Sequence, residues 1–121
     1  MNKKILIVDD EKPLANALDL KLSHEGFTTK TVFNGGEAIQ SLKTEKFDLV
    51  LLDLVMPLED GFKVLEDIKS LSLKTSVIVS SNLSQEEDIT RARNLGAVDY
   101  FIKSDTTLTQ VVQKVKNYLD K

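Results

Sequence analysis

Lys4-Ile5-Leu6-Ile7-Val8-Asp9-Asp10 is a short apolar run that stops abruptly on two carboxylates. Unbroken Ile, Leu and Val over so few residues predicts a strand buried on both faces, the kind from which parallel sheets are built. The pattern recurs along the chain. Leu49-Val50-Leu51-Leu52 ends on Asp53, Ser76-Val77-Ile78-Val79 on Ser80 and Ser81, and Tyr100-Phe101-Ile102 on Lys103. A more polar run, Thr28-Thr29-Lys30-Thr31-Val32, predicts a strand at a sheet edge.

Helical spacing fills the intervals. Leu14, Leu18 and Leu22 predict a first helix stopped by Gly26, with Pro13 near its start. Ala38, Ile39 and Leu42 predict a second, and Phe62, Leu65 and Ile68 a third opening after Pro57 and Gly61. Ser84-Gln85-Glu86-Glu87 predicts a capping box for a fourth, which ends at Gly96. Leu108, Val111, Val112, Val115 and Leu119 form the inner stripe of a fifth, capped by Asp105 or Thr106. Strand and helix alternating in this way predict an α/β fold: a doubly wound, five-stranded parallel sheet with helices on both faces. Residues 1–121 are expected to form one such domain.

In such sheets, sites form outside the carboxyl ends of the strands. Asp9, Asp10, Asp53 and Lys103 all fall at that end. Carboxylates packed closely are costly without a cation. Mg²⁺, or Mn²⁺ in its place, takes carboxylate and phosphate oxygens, so the group predicts a phosphoryl site. Asp53 has the chemistry to act as a nucleophile and form an acyl phosphate. Ser80 offers a hydroxyl to a phosphoryl oxygen, and the next backbone N–H, that of Ser81, can do the same. Lys103 offsets the acidic cluster and can grip a phosphoryl oxygen. Tyr100, an aromatic with a polar tip, either packs in the core or swings between buried and exposed positions. The only histidine, His24, falls near the end of the first helix and stands near neither serine in sequence.

Composition narrows the function classes. There are no cysteines, which excludes a disulfide framework and thiolate chemistry and suits a cytoplasmic protein. The net charge of −3 is spread without a basic run, so no direct nucleic-acid binding is expected. No apolar run approaches the ~20 residues of a membrane span. The run after Met1-Asn2-Lys3-Lys4 stops at Asp9, too soon for a signal core.

Together these residues resemble the CheY-like receiver domain of two-component response regulators. The resemblance runs from Lys4 to about Leu119 and rests on Asp9-Asp10, Asp53 with Met56-Pro57 and Gly61, Ser80, Gly96-Ala97 and Lys103. It implies the flavodoxin-like strand order 2-1-3-4-5. It implies Asp53 as phosphoacceptor, with Asp10, Asp53 and the backbone carbonyl of Val55 as direct metal ligands and Asp9 acting through a metal-bound water. Ser80, Lys103 and the backbone at Leu54, Val55 and Ser81 would hold the phosphoryl group. Ser80 would couple it to Tyr100. The donor would be a sensor histidine kinase, a phosphotransfer protein or a small acyl phosphate. The output partner or effector domain would meet the fourth helix, fifth strand and fifth helix, a face that also accommodates a homodimer. Such a module catalyses only its own phosphorylation and dephosphorylation.

The chain departs from the family where Ser104 stands in place of the usual proline after the lysine, and where Ser81 replaces a frequent alanine. A trans Lys103–Ser104 peptide is expected, in a loop that is rearranged or looser. Val55 and Asn82 flank the site at variable family positions, and an apolar Val55 predicts a long-lived phosphoryl group. Three other readings compete. A phosphorylation-independent pseudo-receiver would bind partners without the chemistry. A Mg²⁺-dependent phosphohydrolase with a nucleophilic Asp commonly carries Asp-x-Asp rather than the adjacent Asp9-Asp10. A flavodoxin-like carrier would need a phosphate cradle where Asp9-Asp10-Glu11 stands.

Overall fold

Ile5 and Ile7 face one hydrophobic layer and Leu6 and Val8 the other, all four without exposed surface. The period of two along a strand makes this division, and each fully buried aliphatic side chain contributes about 1.5–3 kcal/mol. The computed structural model describes residues 3–56, 59–71 and 74–120. Its strands are β1 Lys4–Val8, β2 Thr28–Val32, β3 Leu49–Leu52, β4 Val55–Met56, β5 Glu59–Asp60, β6 Ser76–Ser81 and β7 Ala97–Ile102. Its α-helices are α1 Lys12–His24, α2 Gly35–Thr44, α3 Gly61–Ser70, α4 Glu86–Asn94 and α5 Leu108–Leu119.

The main sheet runs β2-β1-β3-β6-β7, every pair parallel. Counting its five strands alone, this is the expected order 2-1-3-4-5, with polar β2 at one edge. Ala15, Leu18 and Leu22 of α1 and Val111, Val112 and Val115 of α5 pack with Ile5, Ile7, Leu49, Leu51 and Ile78. The apolar faces of α2, α3 and α4 pack with Leu6, Val8, Val50, Leu52, Val77 and Val79 on the other side. The order reverses direction between β1 and β3, which opens a crevice at their carboxyl ends.

Several element ends differ from the sequence-based expectation. Strand β6 continues through Ser80 and Ser81, so both serines are strand residues rather than loop residues. Strand β7 begins at Ala97, three residues before Tyr100. Its register with β6 shifts where Val77 pairs Ala97 and Ile78 pairs Asp99, leaving Val98 as an extra, exposed residue. Such a bulge breaks the apolar pattern that marks a strand in sequence. The ribbon of β4 and β5, with Val55 opposite Asp60, lies in what read as a loop. Pro57, singled out in the sequence, lies outside the described residues.

The caps also move. Helix α4 starts after Gln85 and has no side-chain cap, so the Ser84-Gln85-Glu86-Glu87 capping box does not form. Three acidic residues in its first turn complement the helix dipole instead. The capping box of α5 is made by Thr107 and Gln110, one residue beyond Thr106 and two beyond Asp105, the expected caps. Gly26 and Gly96 close α1 and α4 at φ +96° and +109°, a left-handed turn that side chains resist.

Candidate functional site

The main-chain ladder delivers the acidic residues to one place. Val8 pairs with Leu52, and the Asp53 N–H donates to Val8 O at 2.9 Å, so Asp9 and Asp53 emerge side by side. Asp9 and Asp53 are only 3% and 4% exposed. Asp10, half-buried, completes the group, and one ligand atom from each of the three carboxylates lies within 4.8 Å of the others.

Lys103 reaches in from the far strand. Its Nζ lies 2.8 Å from Asp9 Oδ2, 3.2 Å from Asp53 Oδ2 and 3.6 Å from Glu11 Oε2. It follows β7 in a 3-10 turn spanning Lys103–Asp105, and the Lys103–Ser104 peptide is trans, as expected. The turn is tied on both sides. Thr106 Oγ1 donates to Ile102 O at 2.8 Å, and the Ser104 N–H donates to Asn82 Oδ1 at 2.9 Å.

The other carboxylate contacts are local. Asp9 Oδ1 accepts the Glu11 N–H at 2.9 Å and Asp53 Oδ1 accepts the Val55 N–H at 3.1 Å. Asp10 makes no hydrogen bond or ion pair among the described residues. A half-buried carboxylate with no partner, beside two others, is a donor set that suits a hard divalent cation. The residues present therefore fit a Mg²⁺ or Mn²⁺ ion.

Electrostatics follow from that packing. Burial, chiefly, and then the charge of Asp9 raise Asp53 to a pKa of about 6, although the Val55 N–H and Lys103 pull the other way. Burial works against the charged form of Lys103. The hydrogen bond to Asp9 and the charges of Asp53 and Asp9 outweigh it, so the ammonium is held above its usual value.

Ser80 stands one position past the Leu52–Val79 pair, adjacent to Asp53 across the sheet. It is 7% exposed, and its hydroxyl has no partner among the described residues. Ser81 is fully buried, and its Oγ accepts the Leu83 N–H at 3.2 Å. Tyr100 is turned into the core beneath α4, and its hydroxyl donates to Leu83 O at 2.7 Å. Burial raises its pKa. Leu54 is buried in the turn out of β3 and Val55 is 55% exposed beside Asp53. His24 ends α1, away from this edge of the sheet.

Two contributors escaped the sequence reading. Glu11 is a third acidic neighbour of Lys103, legible only as the last member of Asp9-Asp10-Glu11. The bond between Asn82 and Ser104 joins residues 22 apart, and no local pattern announces it.

The doubly wound sheet thus carries an acidic cluster and a buried lysine at its switch point. The sequence profile described as "Response regulator receiver domain" matches residues 5–116. The chain belongs to that family, the receiver domains of two-component response regulators. It is 36% identical over 103 residues to the alkaline phosphatase synthesis transcriptional regulatory protein PhoP of Bacillus subtilis, covering 85% of this chain and 43% of that one. It is 34% identical over 100 residues to the transcriptional regulatory protein DltR of Streptococcus agalactiae, covering 83% of this chain and 45% of that one. The chain thus spans less than half the length of these relatives.

Solved structures agree. A CheY-like receiver domain protein from Methanospirillum hungatei superposes with a TM-score of 0.92 at 28% identity, over 99% of this chain and 95% of that one. A BeF3-activated DrrB receiver domain superposes with a TM-score of 0.88 at 29% identity, over the whole of both chains.

Proposed function

We propose that this receiver accepts a phosphoryl group on Asp53 and uses it to reset a partner-binding face. The observation that carries the reading is Lys103 bound to both Asp9 and Asp53 in a buried site. The Asp53 carboxylate attacks phosphorus in a phosphohistidine of a sensor kinase or phosphotransfer protein, or in a small acyl phosphate. A P–N or P–O bond breaks as the new P–O bond forms, and the imidazole or carboxylate leaves. With a pKa of about 6, Asp53 is mostly ionised, and so nucleophilic, at neutral pH.

Asp10, Asp53 and the Val55 carbonyl would hold a Mg²⁺ or Mn²⁺ ion directly, and Asp9 would hold it through water. When bound, the cation supplies positive charge that screens carboxylate from phosphoryl oxygens. Ser80 and Lys103 donate to the phosphoryl oxygens, alongside the Leu54, Val55 and Ser81 backbone. Water attack on the acyl phosphate would end the signal, so the chain's only catalysis is upon itself.

The switch follows from charge. A phosphoryl group adds roughly −1.5 to −2 charges and strong acceptors at Asp53. Ser80, near the end of β6, and Lys103, in the turn after β7, gain bonds to it only when those two ends move together. Tyr100, tied to the β6–α4 loop at Leu83 O, follows that movement. The equilibrium shifts towards a second form of the α4–β7–α5 face, read by an output partner, an attached effector or a second copy. Two relatives are named transcriptional regulators, which makes a transcriptional effector the proposed output class. The setting would be the cytoplasm, and among the described residues no helix is long and apolar enough to cross a membrane.

Intact mass after incubation with acetyl phosphate and Mg²⁺ tests the reading. A phosphoryl-mass gain that Asp53→Asn abolishes is expected. No gain by folded parent protein, with Mg²⁺ present, would leave a phosphorylation-independent binding module.

A further inference from the structure

The pairing of β6 with β7 ends at Ser81 and Ile102. Beyond it the two chains part, one towards α4 and the other towards α5. Each has just delivered a donor to the site, Ser80 on one side and Lys103 on the other. One more bond joins them across the gap. The Ser104 N–H donates to Asn82 Oδ1 at 2.9 Å, so the Asn82 side chain adds a rung where the backbone ladder has stopped.

This rung exists because residue 104 carries an N–H. The proline usual in the family has none to give. The same serine accompanies a 3-10 turn closed by the Thr106 N–H on Lys103 O at 3.3 Å. On the opposite side, Asn82 lies in a loop already tied down by Leu83. The Leu83 N–H donates to Ser81 Oγ, and its carbonyl accepts from Tyr100. Lys103 is therefore held upstream by the sheet, downstream by the turn, and sideways by Asn82.

We propose that Asn82 is a positioning residue for this phosphoryl site. Through Ser104 it fastens the Lys103 loop to the β6–α4 loop, so that Ser80 and Lys103 close on an anion at Asp53 as one unit. Ser80 is already fixed in β6, but Lys103 lies just past the end of β7 and its turn must be ordered when the anion arrives. A tether already in place removes part of that entropic cost. A proline ring would stiffen the lysine loop covalently, whereas here a hydrogen bond from a neighbouring loop does so and links the two movements. The inference rests on the phosphoacceptor reading above.

The test is a beryllofluoride titration in the presence of Mg²⁺, followed by backbone amide shifts, with melting temperature measured alongside. The parent protein takes up beryllofluoride. Asn82→Ala weakens its affinity about three- to tenfold, the range of one exposed hydrogen bond, with little change in melting temperature. Ser104→Ala keeps the N–H and behaves as the parent. In a Ser104→Pro background, whatever that change does itself, Asn82→Ala has no further effect.

Equal affinity of the parent and Asn82→Ala would overturn the proposal. So would the same loss in both backgrounds, which would mean that Asn82 touches the anion rather than the loop. A parent protein that takes up no beryllofluoride would overturn the phosphoacceptor reading, and this inference with it.

Discussion

Lys103 Nζ lies 2.8 Å from Asp9 Oδ2, and the two side chains are only 8% and 4% exposed. The same ammonium reaches Asp53 at 3.2 Å, so one cation balances two buried carboxylates. It sits where a divalent ion would compete with it for the carboxylate oxygens and a phosphoryl group would compete with the carboxylates for it.

Lys103→Met should therefore have opposite effects on stability and metal affinity. Removing the ammonium leaves Asp9 and Asp53 uncompensated, costing about 3 kcal/mol in metal-free protein. Mg²⁺ binding should tighten, because the competing charge is gone, and millimolar Mg²⁺ should recover most of the lost stability. Labelling by acetyl phosphate should fall at least about tenfold, the 1.4 kcal/mol or more expected of a charge-assisted bond to the phosphoryl group. Urea unfolding with and without Mg²⁺ reads the first pair of effects, and a stability loss that Mg²⁺ leaves untouched would contradict the account.

Asp53 predicts a pH dependence of stability. Its pKa rises from 3.8 to about 6 on folding, chiefly through burial. A raised pKa means that the folded state favours the protonated form. The associated stability is complete below the unfolded value and is lost as pH rises through the folded one. Metal-free parent protein should therefore weaken relative to Asp53→Asn between about pH 4 and 7, by about 1–2 kcal/mol after solvent screening. Parallel pH–stability curves for the two proteins would refute this.

Gly61→Ala tests the packing behind the proposed phosphoacceptor. A Cβ at position 61 would stand 2.3 Å from Leu54 Cα and 2.7 Å from Leu54 O, and both are backbone atoms that cannot swing aside. The expected loss is about 3 kcal/mol. Because Leu54 follows Asp53, phosphoryl labelling should fall with it. Thermal unfolding of Gly61→Ala beside Gly61→Ser measures the first effect, and both variants should melt well below the parent.

Val55 is 55% exposed, and its N–H is bonded to Asp53, so an apolar side chain stands next to the carboxylate proposed to carry the phosphoryl group. Val55→Asn should shorten the phosphoryl lifetime severalfold by offering water a polar foothold. The decay of labelled protein after donor removal, followed by intact mass, gives the rate. An unchanged rate would remove Val55 from the account.

The sequence by itself determined which residues form the core strands and which lie at their carboxyl ends. Four unbroken aliphatic residues before Asp9 and again before Asp53 leave little alternative to strands buried on both faces. The parallel sheet, the acidic cluster and the lysine followed from that local pattern. The polar edge strand was legible in Thr28–Val32 for the same reason. Element ends were less legible, because they depend on neighbours. Strand β6 extends through Ser80 and Ser81 only because β7 is there to pair with them, and the bulge at Val98 disguises where β7 begins. Only the tertiary structure decided that Lys103 binds Asp9 as well as Asp53, that Tyr100 is tied to Leu83, and that Asn82 meets Ser104. Those contacts join residues far apart in the chain, and their distances are set by how the strands are ordered and twisted, which no residue's own neighbours in sequence encode.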